Sequence, residues 1–475
     1  MTTYLVGIDN GSQSSKVTIF DERGVVAAEG RVPLRANHTP APGVVEHPDD
    51  DLWDSIARAC RIAMASFTGD PADIVGVGLC TIRFCRAVLR ADGSLAQPVL
   101  SWMDARVGRP FEAEHDDVAW VTTSSGYVGH RLTGAFRDTA ANYQGMWPID
   151  TDTWRWSTDA AAYAATGMQR SQLFELVDPG DLLGTITAEA SAATGLPVGL
   201  PVVATANDKA VEALGCGLLD PSTLLVSLGT YIAGMSVGAR NIGDATESWT
   251  NFGSEPGRYL YESGGIRRGM WTVSWFRDLL GSGTEAEAAA AGERVEDLLN
   301  REATAVPAGS DGLLTVLDWL APDDATFRKG SILGFDGRQG RAHVYRSILE
   351  GIAMTMRDRA DAMGGELGIA YERVVVSGGG SSSDLMMQVM ADVFQVPTIR
   401  VVGDSAASRG AAICAAVATG VHPSFAAAAE AMVVERDRTA PRPEHAAVYD
   451  ALRAVHADVT AHTDAVYRRT AAIVG

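Results

Sequence analysis

An α/β protein of two related domains facing a shared cleft is the fold class this chain predicts, and three observations carry it. Strand-like and helix-like segments alternate through the first quarter, and the strands read as buried. A pattern of apolar run, small polar turn and second apolar run occurs near residue 4 and returns near residue 224, a weak internal repeat. At 475 residues the chain is long enough for two or three domains, each with its own core.

The first apolar run, 4–8, ends in Asp9. Asn10 and Gly11 open a turn that continues through Ser12, Gln13, Ser14, Ser15 and Lys16, and the run 17–20 follows. Asn-Gly between apolar runs is a strong hairpin signal. The free N–H groups and hydroxyls of such a turn can wrap an anion. The carboxylate beside it can hold the metal that travels with a nucleoside triphosphate. A surface hairpin whose Asp caps the turn is the plain alternative. Residues 25–28 continue the sheet, and 50–66 read as a helix with Leu52, Trp53, Ile56, Ala59, Cys60 and Met64 as its apolar positions. Short apolar runs at 74–81 and 198–206 read as buried strands. The second unit opens near Pro221 with 224–228, the turn Gly229-Thr230-Tyr231 and 232–235. Beyond it, 285–299 reads as an exposed Glu- and Ala-rich helix. Residues 341–363 and 385–394 read as core helices, 373–377 as a buried strand and 446–468 as a helical tail. The domains are expected at 1–219 and 220–475, joined by a short hinge.

Composition narrows the function. Hydrophobic residues make up 46% of the chain and charged residues 21%, an ordinary globular balance. A formal charge of −20 argues against nucleic acid as a partner, because phosphate neutralisation needs basic surface. The five cysteines form no C-x-x-C pair and the nine histidines are dispersed, so scattered reduced thiols are expected and a structural zinc site is not. No leader pattern and no bilayer-length apolar run is present, so the expectation is a cytoplasmic protein without a membrane partner. A homodimer is the default assembly.

Three further stretches can carry chemistry. A buried strand ends at Ala204-Thr205-Ala206-Asn207-Asp208-Lys209, and a small-residue helix begins there. Ligands bind outside the carboxyl ends of strands in open α/β sheets, which makes Asp208 a reacting group, while its residue type suits a helix N-cap equally well. Val374 to Ser377 runs into Gly378, Gly379 and Gly380, then Ser381 to Ser383 and a helix. Glycines there let backbone approach a flat ligand, and a helix N-terminus can face an anion. The pattern is a poor fit to a dinucleotide fingerprint. After Arg83 and Phe84 come Trp102, Asp104 and Arg106, which offer donors and an acceptor beside an aromatic face, as a polyhydroxylated ligand requires. A surface ion pair next to a core tryptophan is the alternative. Residues 406–412 start a small-residue helix that suits tight packing.

Together and in this order, these motifs resemble the FGGY family of carbohydrate kinases, which includes xylulose, ribulose, gluconate and glycerol kinases. The resemblance spans nearly the whole chain. It implies two actin-like, ribonuclease H-like domains with ATP and a sugar meeting in the interdomain cleft. By the same resemblance, Asp9 holds magnesium and Asn10 to Ser15 form the first phosphate turn. Lys16 stands where glycerol kinases place a phosphate-contacting arginine. Gly229 and Thr230 form the second phosphate turn, Gly378 and Gly379 the adenosine motif, and Ser383 lies near adenine. Asp208 is the catalytic base, touches the acceptor and converges with Asp9 on one magnesium–nucleotide. Arg83, Trp102, Asp104 and Arg106 fall on the sugar side. Two departures stand out. The glutamate that usually follows the arginine in glycerol kinases is Phe84 here, and Arg106 to Tyr127 spans only about twenty residues, a short connection for a region often used to build pockets. The stretch 138–146 is also degenerate, with Asn142-Tyr143-Gln144 in place of a hydroxyl-rich run. The implied activity is transfer of the ATP γ-phosphoryl to a primary hydroxyl, with a ketopentose of the xylulose or ribulose type as acceptor. A glycerol- or erythritol-type polyol, a linear quorum-signal-like sugar and a nucleotide-gated sugar sensor with little turnover are the alternatives. A chaperone-type ATPase would need a peptide-binding domain and linker, neither of which is visible.

Overall fold

A computed structural model describes residues 2–322, 325–403 and 405–474. Two mixed sheets organise it, and they repeat one topology. In the first, Tyr4–Asn10 pairs antiparallel with Ser14–Asp21, which pairs with Val26–Pro33. On its other edge Tyr4–Asn10 pairs parallel with Ile74–Thr81, followed by Pro201–Ala204 and Leu182–Thr185. In the second, Thr223–Leu228 takes the place of Tyr4–Asn10. It pairs antiparallel with Ile232–Gly238, and Tyr259–Ser263 and Ser248–Phe252 extend that side. Its other edge pairs parallel with Arg373–Ser377, then Thr398–Val401, and Glu435–Thr439 closes the sheet antiparallel. The repeat read from two short apolar runs is therefore a repeat of whole sheets. Both central strands are apolar on both faces, as strands covered by helices must be.

Helix Asp51–Ser66 covers the first sheet with Leu52, Trp53, Ile56, Ala59 and Cys60 buried. Helices Arg341–Leu367 and Asp384–Phe394 build the core of the second half through Ile348, Ile352, Met356, Met386 and Met390. Three segments differ in extent from the sequence reading. Of 198–206 only Pro201–Ala204 is strand, because Gly199 at positive φ turns the chain and leaves Val198 exposed. The stretch 285–299 is two helices, Gly269–Ala291 and Val295–Thr304. Gly292 ends the first in a left-handed cap, and Leu298 and Leu299 of the second are buried rather than exposed. The tail helix is longer than expected, Pro443–Val474. No helix among the described residues is long and apolar enough to cross a membrane.

Helix Ala406–Ala418 lies late in the chain yet packs on the first sheet, sharing a cluster with Leu5, Phe20, Val203 and Leu214. Backbone meets backbone at this contact. A Cβ on Gly7 would overlap the Ser408 carbonyl, and one on Gly78 would overlap the Ala411 carbonyl. Small residues at 406–412 therefore serve close packing. Gly78→Ala is expected to lower stability by about 1–3 kcal/mol or more, because neither partner is a flexible side chain. Urea unfolding of the variant measures it, and an unchanged midpoint would show that the helix yields.

Candidate active site

The strands Tyr4–Asn10 and Thr223–Leu228 each end at a turn, and both turns open onto one cleft of about 1000 Å³. Ser12, Gln13, Gly229 and Thr230 line it from the turns, with Ile82, Arg83, Phe84, Trp102, Asp208 and Lys209 from the first half. Asn10 and Ser15 face the other way. Their side chains are fully buried and bonded to each other at 2.8 Å, and Ser15 Oγ lies 2.7 Å from Ser55 Oγ. These two shape the turn, and only its tip can meet an anion. Ser14 accepts from Arg31 at 3.1 Å. Lys16 pairs across the hairpin with Asp9 and lies 3.3 Å from Glu29.

Asn207, not Asp208, caps helix Asp208–Gly215. Its side chain accepts from the N–H groups of Lys209 and Ala210 at 3.1 Å. With the cap filled, the Asp208 carboxylate is left to face the cleft, 3.6 Å from Arg83 Nε. One turn further, Glu212 accepts from Lys209 Nζ and Ser227 Oγ at 2.8 Å and from Ser377 Oγ at 2.7 Å. That carboxylate ties the helix of the first half to both central strands of the second. Glu262, on Tyr259–Ser263, forms a two-pronged pair with Arg83, its Oε2 accepting from Nη2 at 3.0 Å, and it also accepts from Asn251. Phe84, at positive φ, stacks on Trp249 with ring centroids 5.6 Å apart. The Arg83 guanidinium lies 5.3 Å from the Phe84 ring centre and 5.2 Å from that of Trp249.

The charges are not balanced evenly. Burial raises the Asp9 carboxyl to about 7, and the nearby carboxylates of Asp208 and Glu212 push the same way against Lys16 and Lys209. Asp208 is likewise raised by burial, against Arg83 and Lys209. Burial would also raise Glu212, yet Lys209 and the two serine hydroxyls hold it below the usual range. Among the described residues no three His, Cys, Asp or Glu side chains cluster closely enough to cage a metal alone. A magnesium ion needs no such cage, since one or two carboxylates plus phosphate oxygens suffice, and it would relieve the repulsion at Asp9.

Other expected site residues lie elsewhere. Asp104, 2% exposed, accepts from the Val45 N–H at 2.7 Å and from Arg106 Nη2 at 2.8 Å, and Arg106 also reaches Glu46 at 2.6 Å and Glu114 at 3.0 Å. Neither lines the cleft. The ion pair is internal, while the tryptophan between it and the cleft, Trp102, is 48% exposed. Gly378 takes positive φ where a Cβ would meet the Leu228 backbone. Gly378 and Gly379 follow the strand end at Ser377, and Ser383 caps helix Asp384–Phe394 while donating to Asn300 at 2.7 Å. They stand outside the lining of the cleft, joined to it through Ser377 and Glu212. Glu212, Glu262 and Trp249 were not singled out from the sequence. The four-residue step from Asp208 to Glu212 puts both on one helix face and was a readable signal; nothing local marks Glu262 or Trp249.

Two sheets that repeat one topology and turn their hairpins toward a shared cleft define an α/β architecture of the actin-like kind. Comparison with known proteins agrees. Residues 4–114 and 109–215 match the N-terminal domain of the FGGY family of carbohydrate kinases, and 224–419 match its C-terminal domain. The chain is 48% identical over 468 residues to the uncharacterized sugar kinase YgcE of Escherichia coli (strain K12), covering 98% of this chain and 95% of that one. It is 24% identical to the xylulose kinase of Bacillus subtilis (strain 168), covering 97% of each. The crystal structure of xylulose kinase from Rhodospirillum rubrum superposes with a TM-score of 0.84 at 24% identity, over 98% of this chain and 100% of that one. The chain belongs to the FGGY family of carbohydrate kinases. It is a sugar kinase, a phosphotransferase with an alcohol acceptor, and kinases of this family use ATP.

Two predictions follow from the charges. In chelator-treated protein, burying the Asp9 carboxylate costs nothing below its unfolded pKa near 4. The cost grows as pH rises to about 7 and stays constant above. Asp9→Asn should therefore stabilise the metal-free protein by on the order of 2–4 kcal/mol at pH 8 and by less at pH 5.5. Equal melting shifts at both pH values would contradict the shared-cleft repulsion. Arg106→Ala should cost about 1–3 kcal/mol, because the buried Asp104 carboxylate keeps its backbone N–H bonds but loses its cationic partner, with acceptor KM within about two-fold of the parent. A large rise in KM without loss of stability would return Arg106 to the sugar site.

Proposed function

We propose that the protein transfers the γ-phosphoryl group of ATP to a primary hydroxyl of a small sugar, with a ketopentose of the xylulose or ribulose type as acceptor. The observation that carries the reading is the Asp208 carboxylate facing the cleft that both polar turns line, with Asp9 on the strand that leads into the first of those turns. The acceptor assignment is supported by the relatives named xylulose kinase. A smaller polyol is the second reading, because Asp104 and Arg106 bond each other outside the cleft and so contribute no contact to a longer acceptor.

Phosphoryl transfer asks the protein mainly for positioning and charge stabilisation. Asp208 accepts the hydrogen bond of the acceptor hydroxyl and takes its proton late, while Arg83 and Lys209 keep the carboxylate available as an acceptor. The tips of the two turns, at Ser12 and Gln13 and at Gly229 and Thr230, grip phosphate oxygens from opposite halves. Asp9 is the residue that would hold a magnesium ion, with Asp208 close by, and the ion would supply positive charge against that of the phosphates. Closure of the halves excludes water, the competing acceptor.

A coupled assay of ADP release over ketoses and alditols tests the acceptor. Asp208→Asn should retain nucleotide and sugar binding while kcat falls about 10²–10⁴-fold, roughly 3–5 kcal/mol of barrier. Unchanged kcat would remove Asp208 from the chemistry. Saturable sugar binding with no ADP release for any acceptor would favour the sensor reading.

A further inference from the structure

Among the described residues three cationic side chains line the cleft, Arg83, Lys209 and Arg267. Arg83 gives both Nη groups to Glu262, and Arg267 donates to the Ala321 carbonyl at 2.9 Å. Lys209 is placed differently. It follows Asp208 directly, and its Nζ lies 2.8 Å from Glu212 Oε2 and 3.4 Å from Ser227 Oγ. Ser227 also lines the cleft and stands two residues before Gly229 of the second polar turn. The ammonium therefore sits where the carboxylate of one half meets the strand that leads into the phosphate turn of the other.

The lysine is held there. Glu212 Oε1 accepts from Ser227 and Ser377, so the carboxylate that fixes Nζ is itself fixed by both central strands of the second half. An ammonium has three N–H donors. Glu212 and Ser227 take two of them, and no further group among the described residues accepts from Nζ. The side chain keeps 22% of its surface exposed on the cleft wall. Its charge opposes the upward push on the carboxyls of Asp9 and Asp208, which puts it within electrostatic reach of both.

A phosphoryl group in transit spreads negative charge over its three equatorial oxygens. Asp9 and Asp208 repel that charge, and the turn tips meet it with N–H and hydroxyl groups only. A preorganised cation beside the transfer path stabilises the transition state more than the bound substrates. We propose that Lys209 is a further catalytic residue of this kinase, its ammonium donating a hydrogen bond to the phosphoryl group as it passes from ATP to the acceptor at Asp208. The bond from the γ-phosphorus to the bridging oxygen of ADP breaks while the bond to the acceptor oxygen forms. The acceptor's proton goes to Asp208, and Lys209 keeps its own. Glu212 holds the ammonium and touches neither reactant. The proposal rests on the sugar-kinase reading for its reaction.

Lys209→Met, Lys209→Arg and the double variant Lys209→Met/Glu212→Gln separate this role from simple neutralisation of Glu212. ADP release is followed on the sugar that the parent turns over fastest. The kcat of Lys209→Met should fall about 10²–10³-fold, with KM for ATP and sugar within about three-fold of the parent. Lys209→Arg, which keeps the charge, should regain about ten-fold. The double variant has no unpaired carboxylate at 212, so it carries the test if the single variant fails to fold, and it should stay as slow as Lys209→Met. A lysine that only neutralised Glu212 would be dispensable there, so a double variant within about ten-fold of the parent overturns the proposal. Calorimetric binding of ADP with and without aluminium fluoride, a mimic of the phosphoryl group in transit, gives a readout that needs no sugar. The double variant should bind ADP as the parent does and lose about ten-fold of the affinity that aluminium fluoride adds. An equal gain in both proteins overturns the proposal. Failure of the kinase reading is separate, since the parent would then release no ADP with any sugar while the aluminium fluoride titrations still decide the role of Lys209.

Discussion

Everything in the cleft is arranged around a surplus of negative charge. Asp9, Asp208, Glu212 and Glu262 converge in a protein whose net charge is already −20. Arg83 engages Glu262 directly and stands near Asp208, and Lys209 engages Glu212. Asp9 alone is left with its repulsion undiminished by a close pair, since Lys16 and Lys209 act on it too weakly to offset burial and its acidic neighbours. The unpaid repulsion is a stored preference for a cation at that spot. An anionic substrate such as a nucleoside triphosphate could not approach these carboxylates without one.

The second consequence concerns how the halves are joined. Helix Asp208–Gly215 belongs to the first half by sequence, but its polar contacts run to the second. Glu212 binds Ser227 and Ser377, and Asn207 donates to Ala141 in its own half and to Phe252 in the other, at 3.3 and 3.4 Å. Helix Ala406–Ala418 makes the reciprocal excursion onto the first sheet. Each half thus holds a piece of the other close to Asp208. The helix that begins at Asp208 is therefore anchored to both halves at once.

Much of this was legible in the sequence because it is written in local patterns. The hairpin at Asn10-Gly11, its echo at Gly229-Thr230, the strand that carries Asp9, the helix start at Asp208 and the amphipathic helix over 50–66 all depend on neighbours within a few residues. The extent of segments was less legible. Residues 285–299 carry a helical composition throughout, and a single left-handed glycine at 292 divides them. Least legible were pairings across the chain. Glu262 and Trp249 sit in ordinary strand sequence, and their place in the cleft exists only once the two sheets face each other. Asp104 and Arg106 show the converse. Their spacing suits a ligand, but Val45 and Glu46, about sixty residues away, and Glu114, eight residues on, claim their hydrogen bonds first.

The substitution at Phe84 gains its meaning from the same long-range geometry. Losing a carboxylate next to Arg83 would leave a buried guanidinium without a partner, a costly state. The structure does not leave it so, because Glu262 reaches Arg83 from the opposite half, and the aromatic ring that replaces the local acid stacks on Trp249 beside it. A contact that could have been made within one domain is thereby made between two. Arg83 is held in this orientation by a residue of the opposite half, so its position beside Asp208 depends on contacts across the two halves. Asn251 extends that chain by donating to Glu262, which makes the geometry at Asp208 depend on groups contributed by both sheets. On the function proposed, an acceptor beside Asp208 would meet groups that both sheets hold in place, a convergence that no single local motif encodes.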